Sequence, residues 1–168
     1  RLTDDTFVNT GQFYTEAADL FGYEATMVQG PLSVQGELFH MFTNAESVGD
    51  PRFWGGYVYG SYCLTGEHRS YDRSKGIFKG VLPTKDFHLT QDGWGALEAA
   101  LRLSYVDLNS REIRGGTEID FTAGLNWYLN GNTRIMFNYV HARVMDRDDP
   151  PIDGGNAHIF QVRFQYKL

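Results

Sequence analysis

At 168 residues the chain has room for one domain, and 21 acidic against 15 basic side chains exclude the basic footprint of a nucleic-acid binder. Aromatics at 15% and 19 glycines favour strands and tight turns over helices. The single Cys63 excludes a disulfide framework and leaves a thiolate metal site without a second sulfur.

Arg1–Thr10 is polar from its first residue and carries no secretory leader, so the sequence reads as a processed chain or as one beginning partway through a longer protein. Period-two alternation then predicts seven strands. Leu20–Gln29 sets Phe21, Tyr23, Ala25 and Met27 against Gly22, Glu24, Thr26 and Val28. Gly30-Pro31 reads as a short turn into Leu32–Thr43, where Val34, Leu38 and Phe42 oppose Ser33, Gln35 and Glu37. After a loop at Asn44–Arg52, Phe53–Leu64 carries Trp54, Val58, Tyr62 and Leu64 on one face and Tyr57, Tyr59 and Ser61 on the other.

Thr65–Gly93 shows no evident secondary structure. It interleaves Arg69, Arg73, Lys75, Lys79 and Lys85 with Glu67, Asp72, Asp86 and Asp92, and reads either as a solvated turn or as a segment folded back into a lumen. Trp94–Val106 is ambiguous, because its Trp94, Leu97, Ala100 and Leu101 spacing suits a helix as well as a strand. As a strand it turns Leu97, Ala99, Leu101, Leu103 and Tyr105 one way and Glu98, Arg102 and Ser104 the other. Asp107–Gly116 follows as a loop. Thr117–Leu129 alternates most strictly, with Ile119, Phe121, Ala123, Leu125, Trp127 and Leu129 against Glu118, Asp120, Thr122, Gly124, Asn126 and Tyr128. Asn130-Gly131-Asn132 is a hairpin signal, since Asn and Gly tolerate positive φ. Thr133–Val144, a polar loop at Met145–Asn156 and a last strand at Ala157–Leu168 complete the chain.

No apolar run reaches the ~18 residues of a spanning helix, but strands of ten or more residues match the ~9–11 needed to cross a membrane at a tilt. Their polar faces hold charges that a packed soluble core would not accept and a water-filled lumen would. The fold class expected is therefore an all-β, antiparallel transmembrane β-barrel of the outer-membrane porin type. The aliphatic and aromatic alternation ending at Leu168 places the C-terminus in the periplasm. By parity, Asn44–Arg52, Asp107–Gly116 and Met145–Asn156 become external loops, and Trp127, Tyr62 and Tyr166 face Trp54, Tyr105 and Phe160 across the two membrane boundaries. Seven strands cannot close a normal even-stranded bacterial barrel, so the chain is expected to be the C-terminal portion of a larger one, completed by an N-terminal half.

No catalytic pattern emerges. His40, His68, His88, His141 and His158 lack metal-ligand spacing, no GxSxG elbow occurs, and Asp146–Asp153 lacks the order and closing Glu of a calcium loop. No enzyme activity, cofactor or metal is expected. The competing readings are a structural or adhesive barrel with a plugged lumen, and an outer-membrane barrel enzyme. Inward parity makes Arg102, Arg134, Arg163 and Lys167 candidate pore-lining cations, joined by Arg69, Arg73, Lys75 and Lys79 of the long turn. The inward acids Glu24, Glu37, Glu98, Glu118 and Asp120 weigh against a simple anion path.

Several segments together resemble the phosphate-selective porin O/P family. They are Phe7-Val8-Asn9-Thr10-Gly11, Ser33-Val34-Gln35-Gly36-Glu37, Leu64-Thr65-Gly66-Glu67 with Arg69, Tyr71 and Asp72, Gly93-Trp94-Gly95-Ala96-Leu97-Glu98, Tyr105-Val106-Asp107-Leu108-Asn109 and Gly124-Leu125-Asn126-Trp127-Tyr128-Leu129-Asn130. The resemblance implies the second half of a sixteen-stranded barrel in the outer membrane, assembled as a homotrimer amid lipid and lipopolysaccharide. It implies a lumen whose lysines and arginines guide phosphate or polyphosphate, and a long turn that projects into the pore. It also favours strand over helix for Trp94–Val106.

Overall fold

The computed structural model describes residues 6–72, 74, 76–90, 92–147 and 154–167. Seven long strands form one antiparallel sheet: β1 (Ala17–Gln29), β2 (Leu32–Asn44), β3 (Arg52–Cys63), β6 (Ala96–Ser110), β7 (Ile113–Tyr128), β8 (Thr133–Arg147) and β9 (Asn156–Tyr166). Their order across the sheet is their order in the chain. Between β3 and β6 lies a two-stranded hairpin, β4 (Tyr71–Asp72) and β5 (Ile77–Phe78). Among the described residues the sheet is open, with β1 and β9 each paired on one side only.

Residues directly opposite across an antiparallel ladder share a face, so the register assigns both surfaces. One row runs Tyr59, Arg102, Thr122, Val140, Ile159; another runs Cys63, Glu98, Asn126, Met136, Arg163. This polar face also holds Glu24, Glu37, Ser104, Glu118, Asp120 and Arg134. The opposite face carries Phe21, Tyr23, Val58, Leu101, Leu103, Phe121, Leu125, Phe137, Val162 and Phe164, all substantially exposed. An apolar band of this size facing outward is stable against hydrocarbon.

Several boundaries depart from the sequence reading. Trp94–Val106 is strand, running Ala96–Ser110, and the helical alternative is excluded. Glu98 must face Arg69 and Asn126 while Leu97 faces outward, an alternation that a helix cannot supply. Asp107–Gly116 is not a loop. β6 and β7 continue through it to a two-residue turn at Arg111-Glu112, with a register shift between Asp107 and Asn109. The Asn109 side chain bridges that irregularity, donating to Thr117 Oγ1 at 3.2 Å and accepting from the Gly116 amide at 3.0 Å. At Asn130–Asn132 no residue adopts a positive φ. The turn is instead held by Asn130 Oδ1, which accepts from the amides of Asn132 and Thr133 at 2.9 and 2.8 Å. Gly30 does adopt a positive φ, 56°, and closes β1 on β2. The centre of Met145–Asn156, residues 148–153, lies outside the described residues, as does Leu168.

The Gly30-Pro31 and Asn130–Asn132 turns and the end of β9 mark one end of the sheet, here the turn end; Asn44–Arg52 and Arg111-Glu112 mark the loop end.

Candidate functional site

Thr65–Gly93, expected to lack secondary structure, contains the β4–β5 hairpin, whose Tyr71 and Phe78 rings meet edge to face at 5.2 Å. Its first half packs on the polar face at the turn end. Val81, 2% exposed, closes a small apolar core with Cys63, Ala96 and Tyr128. The second half climbs round the rim, where the Phe87 amide donates to the Leu129 carbonyl at 2.7 Å and its ring lies edge-on to Trp127 at 5.0 Å. Gly95 makes the re-entry into β6 possible: its φ is +69°, and a Cβ there would overlap the Tyr128 carbonyl oxygen.

Arg69 ties the turn to the wall. Its Nε donates to Glu98 Oε1 at 2.6 Å and its Nη2 to Glu98 Oε2 at 2.8 Å. Asn126 Nδ2 and Tyr128 Oη donate to the same carboxylate at 2.8 and 2.9 Å, so a fully buried Glu98 accepts four hydrogen bonds. The guanidinium also reaches Tyr59 Oη at 3.2 Å. Burial acts to lower the Arg69 pKa, but bonding to and attraction by Glu98 outweigh it and hold the group above its ordinary value. A second clasp forms at Glu67, which accepts from the Thr65 hydroxyl and from the Thr84 amide at 3.1 Å. Burial pushes the Glu67 carboxyl up, yet these hydrogen bonds prevail and hold it below its ordinary value.

Between the folded turn and the ends of β7, β8 and β9 lies a cavity of about 680 Å³, onto which Arg69, Lys79, Arg134 and Lys167 open. Two of these cations are matched: Arg69 by Glu98, and Lys79 by Asp72 with Nζ 3.5 Å from Oδ2. Arg134 is held differently, donating from Nε and Nη2 to Gln165 Oε1 at 3.0 and 2.8 Å and from Nη1 to Tyr128 Oη at 3.4 Å. Among the described residues, Arg134 and Lys167 have no carboxylate partner. Arg163 lies on the same face of β9, opposite Met136, and is exposed. Arg102 stands apart, farther towards the loop end, with its guanidinium 4.0 Å from the centroid of the Tyr57 ring. Arg73 and Lys75 lie outside the described residues.

The model of the family "Phosphate-selective porin O and P" matches residues 1–168. The chain belongs to this porin family. It is similar to an "Uncharacterized protein" of Caulobacter vibrioides, 31% identical over 137 residues that cover 82% of this chain and 27% of the relative. It is also similar to "Porin O" of Pseudomonas aeruginosa, 27% identical over 161 residues that cover 88% of this chain and 34% of that protein. The porin chain thus spans about a third or less of the length of these relatives. Membership puts this wall in a bacterial outer membrane, with the apolar band against lipid and the polar face towards a lumen.

The anchor on Glu98 was not foreseen from the porin sequence. In the sequence Glu98 reads as an inward acid that weighs against an anion path; the register sets it opposite Cys63 and Asn126, and the folded turn brings Arg69 to it.

Proposed function

We propose that this chain forms part of the wall of a water-filled channel for passive diffusion of small solutes, with a preference for anions such as phosphate or polyphosphate. The observation that carries the reading is the turn-end cavity, where Arg134 and Lys167 stand without carboxylate partners among the described residues. Arg163 extends the row along β9, and Arg102 is the outermost cation of the path. Cations in a narrow, low-dielectric passage attract anions and lower the barrier to their entry, while two hydrogen-bonding side chains keep Arg134 from collapsing onto the wall.

In this reading the turn end and the C-terminus face the periplasm, and the folded turn narrows the exit. The rest of the barrel supplies the facing wall, and the complete protein assembles as a homotrimer surrounded by lipid and lipopolysaccharide. The chain acts as a conduit and not as an enzyme. The test is the reversal potential of the intact channel in planar bilayers under a salt gradient. Anion preference is expected, falling by severalfold in the Arg134→Ala/Arg163→Ala/Lys167→Ala variant. Cation preference in the unmodified channel, or an unchanged ratio in the variant, would reject the path, and absence of channels would favour a plugged structural barrel.

A further inference from the structure

On β8 and β9 the lipid-side face changes character as it nears the loop end. From the turn end upward its positions hold Ile135, Phe137 and Tyr139 against Phe164, Val162 and Phe160, and no charge. Then His141 stands opposite His158, and beyond them Arg143 opposite Asn156. From Thr133, opposite Tyr166, to Arg143 a strand of ordinary rise and tilt climbs about 25 Å, the height of an apolar band. Arg143 therefore stands where hydrocarbon gives way to headgroups. The Val144 amide donates to the Gly155 carbonyl and the Lys167 amide to that of Asn132, so the inward residues of this ladder form its hydrogen-bonded pairs. The outward His141–His158 pair is then a non-hydrogen-bonded one, whose side chains lie closest, and the two rings stack at 4.7 Å and 4°. Tyr139 Oη lies 2.8 Å from His158 Nδ1; with the hydroxyl donating, Nε2 keeps the ring proton and presents it outward. Arg143 is exposed, makes no ion pair among the described residues, and has Ile119, His141, Met145 and Asn156 as its outward neighbours, none of them acidic. A guanidinium and imidazole N–H groups at the edge of hydrocarbon have to be satisfied from outside the protein.

We infer that this patch holds the phosphorylated head of an outer-leaflet lipid, the lipid A part of lipopolysaccharide. Arg143 meets a phosphate with its planar fork of donors, and the imidazoles donate to oxygens beside it. The acyl chains of the same molecule run down over Phe121, Phe137 and Phe160, which are exposed on the same face. Charge and apolar surface together select this occupant. A free anion gains nothing from the rings, and a zwitterionic lipid brings a cation of its own against Arg143. The site lies on the opposite face from the anion path and does not depend on it; it rests on the reading that the loop end is external.

The test uses the complete protein in detergent, with native mass spectrometry in the presence of bis-phosphorylated lipid A, its dephosphorylated form, or phosphatidylcholine. Lipid A is expected to bind about tenfold or more tighter than either of the others. In Arg143→Gln/His141→Gln the apparent affinity for lipid A should fall about tenfold or more, as loss of charge-assisted hydrogen bonds implies. Glucosamine 1-phosphate, a head without chains, should not displace lipid A at equal concentration. The same variant should leave the reversal potential of the channel unchanged, because the patch faces away from the lumen. Heat-modifiable migration on gels establishes that the variant is folded. Equal binding of the dephosphorylated lipid, undiminished binding in the variant, displacement by the head alone, or a shifted reversal potential would each overturn the inference. A variant that keeps lipid A but loses subunit assembly would also overturn it and mark the patch as a contact between copies. Orientation is read separately, from labelling of Gly154→Cys in intact cells by a membrane-impermeant maleimide. Labelling there is expected; labelling only after the outer membrane is opened would overturn the outer-leaflet site together with the external placement of the loop end, whatever lipid the purified protein binds.

Discussion

A carboxylate with no exposed surface stays charged only if its lost hydration is replaced bond for bond, and Glu98 meets that condition with two bonds from Arg69 and one each from Asn126 and Tyr128. Removing one member of such a pair strands the other. Arg69→Met is therefore expected to destabilise the docked turn by about 3–5 kcal/mol, and Arg69→Met/Glu98→Leu to recover much of that loss. Protease cleavage within the turn, combined with urea unfolding of the refolded protein, measures both; additive effects in the double variant would show that the pair is not coupled. Acid acts elsewhere. The raised pKa of Arg69 means that its contribution is complete below the group's ordinary value and is lost only above it. Glu67 has the opposite sign: its pKa is lowered, so its contribution is present above the ordinary value of 4.5 and disappears as the pH falls through the still lower folded value. The hydrogen-exchange protection factor of the Thr84 amide should drop on acidification below that range and should be low at every pH in Glu67→Ala.

At the scale of the element, β9 tests the assignment of faces. Phe160, Val162 and Phe164 are 80%, 71% and 66% exposed on the apolar side, while Gln161, Arg163 and Gln165 alternate with them. Val162→Arg should destabilise the inserted protein by about 2–4 kcal/mol and Gln161→Arg by much less, measured by urea titration into lipid bilayers. Equal costs would remove the distinction between lipid and lumen. The alternation of β9 was legible because period two is a local property of the sequence, and so were β1, β2, β3, β7 and β8 to within a few residues. β6 is less legible, because Trp94, Leu97, Ala100 and Leu101 satisfy both periods; the family resemblance favours strand, and the partners Tyr59 and Thr122 on either side of Arg102 bear that out. The tip of the β6–β7 hairpin, Asp107–Gly116, reads as a loop for a related reason. Asp107–Gly116 carries turn-forming residues, but Asn109 uses its carboxamide to carry the ladder across an irregularity.

At the scale of the molecule, the seven-stranded sheet leaves one edge of β1 and one edge of β9 without a ladder partner among the described residues. Unpaired strand edges cannot remain exposed to hydrocarbon. The chain refolded by itself is accordingly expected to give no stable single-copy channels in planar bilayers, and the complete protein to give them. Regular conductance steps from one copy of this chain would contradict the view that further strands complete the barrel.

Alternating side chains, strand lengths and the inward position of Arg102, Arg134, Arg163 and Lys167 follow from the sequence by itself, because membrane thickness and pleat geometry act on each strand separately. Tertiary structure alone decided which charges, on the wall and in the long turn, remain available. Arg69 is consumed by Glu98 29 residues away, Lys79 is matched by Asp72, and Arg134 is held by Gln165 with no acid in reach among the described residues. Pairing over such separations depends on where the long turn folds, and that is set by Val81 finding Cys63, Ala96 and Tyr128 beneath it, a fit of surfaces that no local pattern encodes.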